Sequence, residues 1–141
     1  MKLTEADSRS RLAAADHGVL CTLHQRRGVD AVPVVFALGE DDHLAVPVDV
    51  VKPKTSTRLQ RRRNLETDDR ATLLVEHWDP ADWSRLWWVR AELRWLDAPS
   101  AAVVESLSAR LVDGYEQYRH RPFADVLVFG IVGLTGWSAA G

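Results

Sequence analysis

Apolar and polar positions change their period several times along the chain. Residues 4–7 read Thr-Glu-Ala-Asp, a hydroxyl followed three positions later by a carboxylate, and Gly18 supplies a stop. That is how a capped helix begins and ends, and it predicts a helix over roughly 4–16. From Gly18 the apolar residues gather into runs of strand length: "GVLCTLH" (18–24), "VDAVPVVFAL" (29–38) and "HLAVPV" (43–48), separated by "QRRG" and "GEDD". Such runs between turn residues predict a meander of antiparallel hairpins. A short helix over about 56–65 follows, then "ATLLVEHW" (71–78) and "RLWWVRAELRWL" (85–96) as two longer strands around the loop "DPADWS". Pro99 opens a further helix, in which Val103 or Val104, Leu107 and Leu111 keep helical spacing, and Gly114 closes it. "DVLVFGIVGL" (125–134) reads as a final buried strand. Six strands with short helices at the corners and no βαβ alternation predict a mainly β fold, a small six-stranded antiparallel barrel.

Alternation within the strands assigns faces. Val32, Val34 and Phe36 share one side, and Ala31, Pro33, Val35 and Ala37 the other; Leu44, Val46 and Val48 oppose Ala45 and Pro47. A strand proline cannot donate to the ladder, so Pro33 and Pro47 belong on edges or at bulges. With small residues beside them they could also form a smooth, weakly polar shelf for a flat ring. In 86–95 the stripe Trp87, Val89, Ala91, Leu93 and Trp95 is core. Trp88 falls on the opposite face with Leu86, Arg90, Glu92 and Arg94, where an aromatic among charges reads as a subunit contact or a ligand wall, with a core position as the other reading. Trp83, in the loop, reads the same way.

Length narrows the picture to one domain over 1–141, with enough chain for a real core. A composition 46% hydrophobic and 27% charged, with a net charge of −2, argues against a protein that coats nucleic acid. Cys21 is the single cysteine, so no disulfide framework or multi-cysteine metal site is available. In its apolar run it reads as a small buried hydrophobe. The first residues carry charge throughout and lack a signal-peptide core, and no apolar stretch approaches the roughly 20 residues of a membrane span. A cytoplasmic protein that uses no membrane is the default expectation.

One segment departs from the average. Between Asp49 and Asn64 lie Lys52, Lys54, Arg58, Arg61, Arg62 and Arg63, six of the 18 Lys and Arg, with Thr55, Ser56 and Thr57 just ahead of the arginines. A helix N-terminus leaves N–H groups unpaired and suits phosphate or carboxylate. Lys52 and Lys54 share one side of an extended strand end, Arg58 and Arg62 one helical face, and Arg61 another, toward a ligand or an ion pair. Two readings stay open on spacing alone: an anion site, or a solvated charged helix. The segment is no P-loop, and neither H-E-x-x-H nor G-x-S-x-G occurs. His17, His24, His43, His77 and His120 are scattered, without metal-ligand spacing. An enzyme of this kind would let a cofactor carry the chemistry.

Taken in order, "GVLCTLHQRRGVDAVPVVFAL", "LAVPVDVVKPKTSTRLQRRRNLETDDRATLLVEHW", "DWSRLWWVRAELRWLD" and "YRHRPFADVLVFGIVGLTGWSAAG" resemble the split β-barrel superfamily of pyridoxamine-phosphate-oxidase-like proteins, which bind flavins and deazaflavins. Within it the chain is most similar to the F420-dependent oxidoreductases of actinobacteria, over nearly its whole length. The resemblance implies a homodimer with two cofactor sites at the subunit interface, and hydride transfer from reduced coenzyme F420 to a small unsaturated or electrophilic substrate. Alternatives are an FMN-dependent enzyme and a non-catalytic F420 carrier. It places Lys52, Lys54 and Thr55 on the cofactor phosphate, Arg61 and Asn64 in the helix motif, and Val48 and Asp49 beside the ring. Val32, Pro33 and Val34 would line the ring, and Trp83 and Trp88 would reach the partner's site. The family's usual Asn-Pro before the arginine at 70 is Asp68-Asp69 here, a change confined to a turn. F420 has a polyanionic tail, which suits a surplus of cations; Arg119 and Arg121 could be a second contact for it, although surface solvation is the favoured account of both. No catalytic residue is nominated: a proton could come from water or from Tyr115, and the sequence does not choose. Nucleic acid is not an expected partner, because one short basic cluster makes few phosphate contacts.

Overall fold

Thr4 caps the first helix as its position predicts: its hydroxyl accepts from the Asp7 N–H at 3.1 Å, and α1 runs Glu5–Ala14. The computed structural model describes residues 1–49, 59–120 and 123–140. After α1 come β1 (Gly18–His24), β2 (Gly28–Val34), β3 (Ala37–Leu38), β4 (His43–Val48), α2 (Gln60–Thr67), β5 (Arg70–His77), β6 (Trp87–Leu96), α3 (Ala101–Gly114), α4 (Gln117–His120) and β7 (Asp125–Ser138).

Among the described residues the strands form one antiparallel sheet of seven, ordered β2-β1-β5-β6-β7-β4-β3. The expectation of six strands is corrected because the run 29–38 is broken. β2 pairs with β1, whereas β3 pairs with β4 at the other end of the sheet, and only Val35 and Phe36 lie between them. Three residue steps span at most about 11 Å. The two ends of the sheet must therefore approach one another, and the sheet curls. One core results, in which Leu20, Val34, Val46, Leu73, Val89, Leu127 and Phe129 from both ends of the order belong to a single buried cluster. The β6 stripe behaves as expected: Val89, Ala91 and Leu93 are buried, and Trp87 and Trp95 pack on the cluster's margins.

A second cluster covers the sheet from outside. Leu107 and Leu111 of α3 meet Ala45, Val126 and Val128, which buries β4 on both of its faces. β7 extends past residue 134 to Ser138 because the first half of β6 needs a partner: Trp87 pairs with Ser138 and Trp88 with Trp137.

Two further expectations change. The helix predicted over 56–65 is described from Gln60, with Leu59 at the cap position and no side-chain cap; residues 56–58 lie outside the described residues. Cys21 lies on the outer face of β1 and is half-buried, not in the core, because Leu20 and Thr22 take the inward positions. Burial pushes its thiol pKa up, which is the wrong direction for a reactive thiolate. Among the described residues no helix is long and apolar enough to cross a membrane.

Candidate functional site

Where β2 leaves one end of the sheet and β4 ends at the other, the fold leaves a cleft of about 350 Å³. That volume lies in the range of small-molecule sites. Pro33, Val34, Val35 and Pro47 supply its apolar surface; Asp49, Arg61, Gln117, Tyr118 and His17 supply the polar wall. Both prolines stand where a strand has one neighbour. Among the described residues β2 pairs only with β1, and Pro47 lies beyond the two-residue stretch of β4 that β3 covers. The edge reading and the shelf reading of these prolines are thus the same fact seen from two sides. A proline offers no N–H to solvent or to another strand, so the shelf is smooth and weakly polar.

Asp49, the first residue past β4, accepts a hydrogen bond from the Tyr118 hydroxyl at 3.0 Å. Burial raises the Tyr118 pKa, and the bond to the Asp49 carboxylate adds to it, pushing it up to about 12. Arg61, in the first turn of α2, feels the opposite pull. Burial lowers its pKa, while Asp49 and Tyr118 raise it. Its Nε is buried and finds no hydrogen-bond partner among the described residues. An unpaired buried donor costs about 1–3 kcal/mol, and more on a charged group. An acceptor entering the cleft would relieve that cost, and an anionic acceptor most of all.

Asn64 anchors α2 on β1 and β2 from one turn beyond Arg61. It is 4% exposed, and its Nδ2 donates to Thr22 Oγ1 and Asp30 Oδ2, each at 2.9 Å. Its Oδ1 accepts from Gln60 Nε2 at 2.9 Å. Each helical step turns the side chain by about 100°, so the three consecutive arginines diverge. Arg61 faces the cleft; Arg62 pairs with Asp125 at 2.7 Å and lies 5.8 Å over Trp95; Arg63 donates to Gln60 Oε1 at 2.9 Å.

Of the residues singled out in the sequence, the structure brings Pro33, Val34, Asp49 and Arg61 together. Val48 is buried in the core beneath Asp49, and Val32, 37% exposed on β2, stands beside the cleft without lining it. Trp83 and Trp88 do not line this chain's own cleft. Trp83 sits in a 3-10 turn, 65% exposed and 5.3 Å from Trp78; Trp88 pairs with Glu76 and Trp137, under the Arg90 guanidinium at 5.4 Å. Lys52, Lys54 and Thr55 lie outside the described residues, as does Arg121. Arg119 donates to the Asp113 carbonyl oxygen at 3.1 Å.

Tyr115 does not line this cleft. Its hydroxyl stands 2.7 Å from the Asp16 carbonyl oxygen and 2.9 Å from that of Phe36, where it ties the α1–β1 and β2–β3 links to the end of α3. Tyr118, three residues on, reaches the cleft instead. Sequence reading missed Tyr118, Gln117 and His17; the signal was the Tyr-x-x-Tyr spacing of 115–118, of which only one member can face the same wall once the helix breaks after Gly114.

No protein-family model matches the chain, and no curated protein does. Solved structures match it over nearly its whole length. A FAD-binding protein of Mesorhizobium loti superposes with a TM-score of 0.69 at 15% identity, covering 96% of this chain and 93% of that one. An FMN-binding protein of Syntrophomonas wolfei subsp. wolfei gives 0.64 at 17%, over 91% and 80%. A candidate pyridoxamine 5′-phosphate oxidase of Corynebacterium glutamicum gives 0.62 at 11%, over 98% of each chain. Such identities speak to architecture, and the chain shares the mainly β, helix-decorated fold of these flavin-binding and pyridoxamine-phosphate-oxidase-like structures.

Proposed function

We propose that this protein is an oxidoreductase of split β-barrel architecture that works through a flavin-type cofactor, with coenzyme F420 ahead of FMN, acting on a small unsaturated or electrophilic substrate. The observation that carries the reading is the pairing in one cleft of a proline-smoothed shelf with the unpartnered Nε of Arg61. A flat tricyclic ring would lie on Pro33, Val34, Val35 and Pro47, and Asp49, Gln117 and Tyr118 would meet its polar edge. Arg61 would hold anionic oxygen of the side chain, joined by Lys52, Lys54 and Thr55. Bound there, the cofactor would supply the hydride; the protein orients it and excludes water. The surplus of cations at 52–63 favours the polyanionic tail of F420, whereas one terminal phosphate would be satisfied by fewer. FMN is the second reading, favoured by the flavin-binding proteins that share the fold.

The reading includes a homodimer. On the outer face of β2-β1-β5, cross-strand partners Val19, Pro33 and Leu74 lie in one row and Cys21, Ala31 and Thr72 in the next, with Val29 opposite Leu23. Val29 is 62% exposed. A panel of this composition is what a partner covers, and Pro33 belongs both to it and to the cleft. A copy seated there would stand at the cleft's edge and could bring the partner's Trp83 and the partner's Trp88 to it.

Fluorescence titration with F420 and with FMN tests the assignment. We expect micromolar or tighter F420 binding, about −8 kcal/mol, weakened at least about tenfold by Arg61→Met and by Lys54→Ala. Undiminished binding by Arg61→Met would remove the cleft as the site. Turnover of an enone with reduced F420 separates an enzyme from a carrier, which would bind without turning over.

A further inference from the structure

We infer that the other side of α2 carries a second anion site, built to take a carboxylate or phosphate group. A cavity of about 420 Å³ opens there, with His24, Arg26, Gln60, Arg63, Asn64 and Thr67 among its walls, and it shares no lining residue with the first cleft. It does not depend on the flavin reading.

Two arginines from different elements, Arg63 of α2 and Arg26 of the β1–β2 turn, line this cavity, and the side chain of Arg63 is held by a hydrogen-bond network. Arg63 Nη2 donates to Gln60 Oε1 at 2.9 Å, Gln60 Nε2 donates to Asn64 Oδ1 at 2.9 Å, and buried Asn64 is anchored on Thr22 and Asp30. Asp30 is in turn gripped by Arg27, whose Nη2 reaches Oδ2 at 2.9 Å and whose Nε reaches Oδ1 at 3.2 Å. An exposed arginine ordinarily loses much rotamer freedom on binding an anion; this chain of bonds has already placed Arg63. Four of the five N–H groups of its guanidinium remain for a ligand.

The opposite wall is the β1–β2 turn. His24 Nδ1 accepts from the backbone N–H of Arg26 at 3.0 Å and of Arg27 at 3.1 Å. Those two bonds shape the turn that carries Arg26, and they put the ring proton on Nε2, which makes His24 a further donor. Gly28 closes the turn at φ +86°, a conformation that a side chain would strain. The Arg26 guanidinium has no ion-pair partner among the described residues. Glu66 is the carboxylate at the rim and has a partner of its own. Paired guanidinium forks with an imidazole N–H match planar carboxylate or phosphate oxygens and offer little to a neutral guest.

Inorganic phosphate and citrate are the probes, titrated into ¹⁵N-labelled full-length protein at constant ionic strength while the arginine Nε–Hε signals are followed. Saturable shifts at Arg63 and Arg26 are expected, and the tighter of the two probes identifies the preferred oxyanion. Arg63→Gln should weaken binding at least about tenfold, and Arg26→Gln likewise, independently of α2 packing. Gln60→Leu keeps every charge and cuts only the tether, and should cost about two- to tenfold. Arg61→Met should leave the affinity unchanged. Shifts linear in concentration, wild-type affinity in Arg63→Gln and Arg26→Gln, or loss in Arg61→Met would each overturn the assignment, the last by moving the anion to the first cleft.

Discussion

Ala-Val-Pro-Val occurs twice, at 31–34 in β2 and at 45–48 in β4. In β4 all four residues are buried; in β2 only Val34 is. Position in the sheet makes the difference. β4 runs beside β7, has the main core on one face and α3 on the other. Among the described residues β2 pairs only with β1, and Val29, Ala31 and Pro33 on its outer face are exposed. The same four residues thus serve as core in one place and as open surface in the other, and the two prolines converge on one cleft. Burial belongs to the sheet's curl, not to the tetrapeptide.

The comparison breaks most sharply at its valines. Val46→Ala should lower stability by about 2–3 kcal/mol, the transfer of two methyl groups plus the cavity they leave. Val32→Ala should cost under about 0.5 kcal/mol. Urea unfolding of both variants checks this, and equal costs would deny that the copies differ.

At the cleft between them, Arg61→Met should cost the proposed cofactor about 1.5–3 kcal/mol of affinity while leaving stability equal or slightly higher, since a buried donor with no partner among the described residues goes with it. Titration and unfolding on the same sample separate the two effects.

The exposed copy invites a third experiment. Val29→Lys, on the outer face, should shift stability by no more than about 0.5 kcal/mol and abolish self-association in sedimentation velocity. A variant that still sediments as the wild type would place any partner elsewhere.

Acid sharpens the contrast between α2 and the sheet. The Asn64 hydrogen bond, then Arg27, hold the Asp30 carboxyl below its usual pKa. A depressed folded-state value stabilises above the unfolded one, near about 3.9, and the contribution is lost as pH falls through the folded value. Amide exchange in α2 should therefore rise below about pH 4 before exchange in β6 does, and Asp30→Asn should remove that early phase.

Among the substitutions in the cleft, a smaller effect than that of Arg61→Met is expected at Tyr118→Phe. One hydrogen bond to Asp49 disappears, worth about 0.5–1.5 kcal/mol in cofactor affinity.

Most strands were legible because their alternation is strong: 18–24 and 43–48 match β1 and β4 residue for residue, and the β6 stripe has the burial its pattern implies. The break at Val35–Phe36 was not legible, since an apolar run through a chain crossing from one sheet end to the other looks like one long strand. Arg61 was visible as a cation on its own helical face, free to point at a ligand or an ion pair, whereas Asp49 came only from the family resemblance. Tyr118 and Gln117 were not, because nothing local says that α4 folds back over the end of β4. The role of Asn64 was equally hidden, as its partners Thr22 and Asp30 lie 42 and 34 residues away.

By itself the sequence determined the local grammar: where strands and helices begin, which residues alternate inward, and that cations crowd one segment after β4. Those follow from side-chain period, capping and backbone restriction, which act over a few residues. Only the tertiary structure decided that the two Ala-Val-Pro-Val copies part ways, that three adjacent arginines serve three directions, and that Arg61 is left with a buried donor to satisfy. Those depend on sheet curvature and helix docking, which bring distant segments within hydrogen-bond reach and which no short stretch of chain encodes alone.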